Sequence, residues 1–313
     1  MHDLRFYDFD FNLLAIENKF TYLGFLKKYN GVGTFEAHFP ITSKILKLVL
    51  ENEYLLIMWG PHQAIITGKQ VNTKLVLYGR EPTWLLTKRV TPKFSAVTGT
   101  PEKICADIVK AAFDDVENFE IERYENEFEE IKFWRNVYNP TEKVVSECLD
   151  RIGAGHRVYA DIKNKKWVYS MQMGKERELI ISSANKNAFN DSYVEDFQDH
   201  VNGGWYESYL ETDDGESEWK FIESPKTGIY RWIGVLGGES ENDAKASLGT
   251  RKWEKEISVE TKNLKFGTDY SLGDTVKLQV CFGNFKTTLT KKVKGVELIC
   301  ENGIYTENPV FAD

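Results

Sequence analysis

The sequence is poor in residues that carry covalent or redox chemistry. It has four cysteines, Cys105, Cys148, Cys281 and Cys300, and their spacing offers no CxxC pair. Cys105 and Cys148 fall on apolar helix faces, where a thiol packs as a small hydrophobe, so buried free thiols are expected. A Cys281–Cys300 bridge is within reach by strand pairing, but a reducing compartment disfavours it. The histidines are His2, His38, His62, His156 and His200, and none belongs to an HExxH helix. His38 lies on the polar side of a strand and is expected at the surface. There is no GxxxxGK[ST] loop, no GxGxxG after a strand and no GxSxG elbow. Gly31-Val32-Gly33 leads into a strand rather than a helix, so it cannot hold phosphate on a helix N-terminus.

Long apolar runs are missing too. Nothing approaches the run of about eighteen residues that a membrane helix needs. The start, MHDLRFYDFDFNLLAIE, has no basic n-region and its apolar run is broken by charge, so no signal peptide is expected and assembly in a cytoplasm is. Basic excess is also absent: the net charge is −8. A general nucleic-acid binder needs basic surface to displace counterions. An acidic balance suits solubility, or a surface that nucleic acid slides past without sticking.

What is present points to β-structure. Of 313 residues 42% are hydrophobic and 13% aromatic, enough for a core with large cross-strand contacts. Residues 1–90 read mainly as strands. Phe35, Ala37 and Phe39 alternate with Glu36 and His38 before Pro40. Tyr54 to Trp59 reads as a buried strand. Ala64 to Ile66 and Lys74 to Gly79 read as a hairpin with a long loop, and Glu81 to Lys88 as a short helix. Two amphipathic helices follow. Thr100 is the expected N-cap and Pro101 the N1 residue of the first, whose stripe is Ile104, Cys105, Ile108, Val109, Ala112 and Phe113. Asn139 and Pro140 are expected to repeat the device, with Val144, Val145, Cys148, Leu149 and Ile152 as the stripe and Gly153 or Gly155 as the stop. A hairpin joins Arg157–Ile162 to Trp167–Met173. Residues 174–240 show no clear pattern.

The final third is sharper. Glu241 to Leu248 reads as a helix ended by Gly249. Strands are expected at 253–260, 275–282, 285–293, 295–300 and 304–306, with turns at Gly283-Asn284 and Asn302-Gly303. Val276, Leu278, Val280 and Phe282 alternate with Thr275, Lys277, Gln279 and Cys281. So many short antiparallel strands suggest a small barrel.

Three stretches invite a chemical reading. GIYRWIG (228–234) holds the letters of two nuclease elements, but those need separate strands, so the segment is expected as a strand alternating Ile229, Arg231 and Ile233. Asp213, Asp214, Glu216 and Glu218 share one loop. It is expected to be solvated, with an acidic pore lining as the alternative, because the spacing fits neither a calcium loop nor a glycosidase frame. Gly203-Gly204 with Trp205 and Tyr206 reads as core or interface, with a sugar-stacking edge as the alternative.

The order of the pieces resembles the baseplate-hub, or tail-tip, family of long-tailed bacteriophages and prophages. The phrases that carry it are Tyr29-Asn30-Gly31-Val32-Gly33-Thr34-Phe35-Glu36; Gly79-Arg80 with TWLLTKRVTP; TPEKICADIVKAAF; LDRIGAGHRVYADIKNKKWVYSMQMG; and Tyr270-Ser271-Leu272-Gly273-Asp274-Thr275-Val276 with the return through Val296-Glu297. The resemblance as a whole covers about two thirds of the chain; 174–240 departs from the pattern. The resemblance implies an α+β, mainly β fold with two small antiparallel barrels: an N-terminal hub barrel over 1–95, a middle α/β region over 96–240 and a C-terminal hub barrel over 241–313. It implies a non-enzymatic homotrimer whose six barrels form a ring, adapting the sixfold tail tube to the threefold tip and letting DNA pass. The implied partners are the chain itself, the distal tail or tail tube protein, the end of the tape-measure protein, and a tail fibre or spike. The implied place is the virion tail tip. No catalytic, cofactor-binding or metal-ligating residue is assigned. The alternative function is a tail-associated cell-wall-degrading or receptor- or carbohydrate-binding protein; the end of the sequence at Asp313 is expected to leave no room for a fused peptidase or spike.

Overall fold

The computed structural model describes residues 3–90, 95–122, 128–135, 138–209, 217–238 and 240–312. It divides into two compact units. The larger comprises Met1–Phe189, Glu260–Leu278 and Thr290–Asp313; the smaller comprises Asn190–Val259 and Gln279–Leu289.

An eleven-stranded sheet dominates the architecture. Alternation builds its centre: in Thr34–Pro40 the residues Phe35, Ala37 and Phe39 are buried while Glu36 and His38 face the other way, as a period of two demands. From one edge the strands run Glu176–Ile181, Thr275–Phe282, Phe285–Glu301, Tyr22–Lys28, Thr34–Pro40, Lys74–Arg80, His62–Val71, Leu56–Trp59, Leu4–Tyr7 and Leu13–Glu17, and Ile304–Ala312 adds to Phe285–Glu301. The inner face buries Leu23, Phe25, Phe35, Phe39, Leu75, Leu77, Val296 and Leu298.

This sheet overturns the expectation of two small antiparallel barrels. Among the described residues no closed barrel forms; strands from both ends of the sequence lie in one sheet, where Gly295–Glu301 pairs antiparallel with Tyr22–Lys28 from Gly295↔Lys28 to Glu301↔Tyr22. The cause is strand length. Residues 285–301 form one strand of 17 residues rather than two short ones, and its C-terminal half is flanked by Tyr22–Lys28 on one side and Ile304–Ala312 on the other. Alternation marks a strand's two faces but says nothing about its neighbours. The mainly β, α+β class stands, with several small mixed sheets beside the large one.

Helices Pro101–Ala112 and Thr141–Asp150 pack together through the predicted stripes. Ile104, Cys105, Ile108, Val109 and Phe113 meet Val144, Val145, Cys148 and Leu149 in one core, which also takes Val158, Trp167 and Tyr169 from the hairpin Gly155–Asp161 and Lys166–Gln172. Thr100 caps the first helix by accepting from the Lys103 amide at 3.4 Å. The second helix does not repeat that device. Pro140 is its N-cap and makes no side-chain bond; instead the Thr141 amide donates to the Arg89 carbonyl at 2.8 Å. Two further differences are local. A helix, Ile45–Glu51, stands within a stretch read mainly as strands, and the hairpin of His62–Val71 with Lys74–Arg80 turns tightly at Asn72-Thr73, its irregularity being a bulge between Ile66 and Gly68.

The smaller unit is built on Gly203–Tyr209, which pairs antiparallel with Ser217–Ile222 and parallel with Ile233–Val235. Helix Glu241–Thr250, capped by Ser240, covers it and runs through Gly249 rather than stopping there. Its core is Val201, Tyr206, Leu236 and Ala244.

Candidate functional site

Three of the quoted phrases, far apart in sequence, converge on one node in the larger unit. Its centre is Tyr29, 1% exposed. The hydroxyl faces the carbonyls of Gln172 at 2.9 Å and Gly153 at 3.1 Å and accepts from the Gly174 amide at 3.2 Å. Burial raises the phenol's pKa. Lys292 lies over the ring, 5.3 Å from its centroid, and donates to the same Gly153 carbonyl at 2.8 Å; burial first, then Lys294, depresses its pKa. Asn30 extends the node. Its amide nitrogen donates to the Ser146 carbonyl at 3.0 Å and to Asp150 Oδ1 at 2.8 Å, and its Oδ1 is 2.8 Å from Nδ1 of His156.

The turn before Thr275–Phe282 closes the node. Gly273 has φ +84°, and a Cβ there would collide with the Tyr29 ring, so glycine is required both by conformation and by space. Asp274 is 2% exposed and fully engaged: Oδ1 accepts from the Lys175 amide at 2.8 Å, and Oδ2 accepts from the Ser271 amide at 2.9 Å and Arg177 Nε at 2.6 Å. Charge-assisted bonds of this kind are stronger than neutral ones. The arrangement locks segments together; it holds no nucleophile with a base beside it.

A second feature lies on the outward face of the large sheet. Gly24 pairs with Glu36 and Tyr22 with His38, while Glu297 and Glu301 stand opposite Leu26 and Tyr22. The Tyr22 hydroxyl is held above its usual pKa by burial and then by Glu36, Glu301 and Glu297. Three carboxylates therefore stand around one tyrosine on this face, which Arg80 shares. His38 belongs to it as an internal tie, 2.5 Å from Glu36 and 3.0 Å from Lys74 Nζ.

No protein-family model matches the sequence, and no curated protein matches it. Solved structures do match, over nearly the whole of both chains. Prophage tail protein gp18 from Listeria monocytogenes EGD-e is 12% identical with a TM-score of 0.60, covering 99% of this chain and 94% of that one. A tail protein from Neisseria meningitidis MC58 is 10% identical with a TM-score of 0.59, covering 100% and 97%. The 43 kDa tail protein of prophage MuSo2 from Shewanella oneidensis is 12% identical with a TM-score of 0.58, covering 99% and 98%. The chain has the prophage tail-protein fold. None of these three neighbours is described as an enzyme.

On that fold the residues singled out in the sequence fall as follows. Among the described residues no group of three or more His, Cys, Asp or Glu could hold a metal ion, and no helix is long and apolar enough to cross a membrane. All four cysteines are free, Cys105, Cys148 and Cys300 buried and Cys281 exposed. The thiol of Cys105 is pushed well up by its contact with Cys148 and by burial. GIYRWIG is not a continuous strand: Gly228–Tyr230 is a 3-10 turn, and a strand begins only at Ile233. The positive φ of Gly228, +62°, breaks the alternation read there. Asp213, Asp214 and Glu216 lie outside the described residues; Glu218 is in strand Ser217–Ile222. Trp205 is half-exposed against Phe221, at 4.8 Å between centroids, whereas Tyr206 is core. The node's central contacts were hidden from sequence reasoning because Tyr29 and its partners are more than a hundred positions apart; the phrases themselves were the only signal.

Proposed function

We propose that this protein is a non-enzymatic tail-tip hub. Three copies form a ring that adapts the sixfold tail tube to a threefold tip. It contacts the distal tail or tube protein on one side and a fibre or spike on the other, and the end of the tape-measure protein and then DNA pass through it. The observation that carries this reading is the near end-to-end match to tail proteins in both directions. The fixed node around Tyr29 and Asp274 supports it, because a ring subunit needs rigid geometry between its strands and helices. The carboxylate face around Tyr22 is the surface we assign to the passage, since like charge keeps a polyanion from adhering.

Native mass spectrometry of the full chain across a concentration series tests the stoichiometry. Trimers are expected at the upper end. A chain monomeric throughout, together with particles whose tail tips show no density for it by electron cryo-microscopy, refutes the proposal.

A further inference from the structure

The smaller unit has a modest core yet presents a cluster of aromatic side chains. His200, Asn202, Lys226, Tyr230, Trp232 and Trp253 line a concavity of about 530 Å³, within the range that small-molecule sites occupy. Its rings are set at different angles. His200 stands edge-on to Trp232 at 5.5 Å between centroids and 74°, and is 6.2 Å from Trp253. Phe197 backs both indoles, at 4.7 Å from Trp253 and 6.2 Å from Trp232.

The frame holding these rings is polar and complete. Asn202 Nδ2 donates to the Tyr230 carbonyl at 2.8 Å, and its Oδ1 accepts from the Trp232 amide at 3.0 Å and from Ser224 Oγ at 2.6 Å. Trp232 Nε1 donates to the Ile229 carbonyl at 3.0 Å. With its one polar atom occupied, that indole is a fixed apolar platform. Two groups at the concavity keep unused capacity. His200 Nδ1 faces the Arg251 carbonyl at 3.1 Å, which requires the proton on Nδ1 and leaves Nε2. The exposed Lys226 ammonium has no ion-pair partner among the described residues.

We infer that this concavity binds a saccharide, with a pyranose ring stacked on the indoles and an acidic substituent drawn to Lys226. The C–H face of a sugar suits an aromatic platform, and its hydroxyls suit His200 Nε2. A quaternary ammonium ligand would also stack on the rings, but Lys226 repels it. The inference is independent of the hub reading: an adaptor subunit could lack it, and a sugar binder need not form a ring.

The test is calorimetric titration of the full chain with two defined probes, trigalacturonic acid as the acidic oligomer and tetra-N-acetylchitotetraose as the neutral one. The acidic oligomer is expected to bind with a Kd of about 1 mM or tighter, and about tenfold tighter than the neutral one. Trp253→Ala should weaken it by about tenfold or more, with the fold verified by circular dichroism. Lys226→Gln, at an exposed side chain that supports no packing, should bring the two oligomers level. Trp205→Ala, on the other platform of this unit, should change nothing. Binding of neither probe, equal binding of both, or binding indifferent to both Trp253→Ala and Lys226→Gln overturns the inference.

Discussion

His156 shows how a single buried side chain couples this fold to pH. It is fully buried, with Nδ1 against Asn30 and Nε2 without a hydrogen-bond partner. Burial pushes its pKa down to about 4 from the model-peptide value of 6.5. For a base depressed in the folded state, the unfolded chain takes up the proton first as pH falls. The stabilising contribution is whole above pH 6.5 and is lost progressively toward pH 4, amounting to about 2 kcal/mol between pH 7 and pH 5. Urea denaturation of wild type and His156→Gln at both pH values checks this: the variant, whatever its stability at pH 7, should lose about 2 kcal/mol less on acidification. Histidine at this position reads as polar in the sequence. Nothing local says it is buried, because the groups that bury it come from Tyr29-Asn30 and the Lys166–Gln172 strand.

At the scale of elements, legibility followed the locality of the forces. Pro101–Ala112 was readable because its cap, its N1 proline and its apolar stripe all lie within fourteen residues, Thr100 to Phe113. Ile45–Glu51 was not, since it is seven residues long and Lys44 offers no capping bond; tertiary packing of Ile45 and Val49 makes it a helix. Thr141–Asp150 begins where a carbonyl from Arg89 reaches its first amide, a partner that only the fold supplies. This contrast gives a prediction. Thr100→Ala removes a side-chain cap that no other group replaces and should cost about 1 kcal/mol, read as a lower midpoint in urea with an unchanged slope. The strands were located by alternation, as in Thr275–Phe282 with Val276, Leu278 and Val280 buried, but pairing order was beyond reach. That is where the barrel expectation failed.

For the whole molecule, the proposed passage rests on the carboxylates around Tyr22. Replacing Glu36, Glu297 and Glu301 with lysine turns the face around Tyr22 from repulsive to attractive for phosphate. The variant should retard duplex DNA in a mobility-shift assay at about 50 mM salt and release it as salt rises, while the wild-type chain should not retard it at all. Retention by the wild type would remove the face from the proposed passage. The long strand Phe285–Glu301 has a consequence in time as well as in space. Residue 301 meets Tyr22 across the sheet, so on the ribosome the early strands emerge and wait, one flank bare, until the late ones are made. The sheet therefore cannot be finished until residues 295–301 have emerged, and a chaperone that shields the flank of Tyr22–Lys28 during that interval would raise the yield of folded protein.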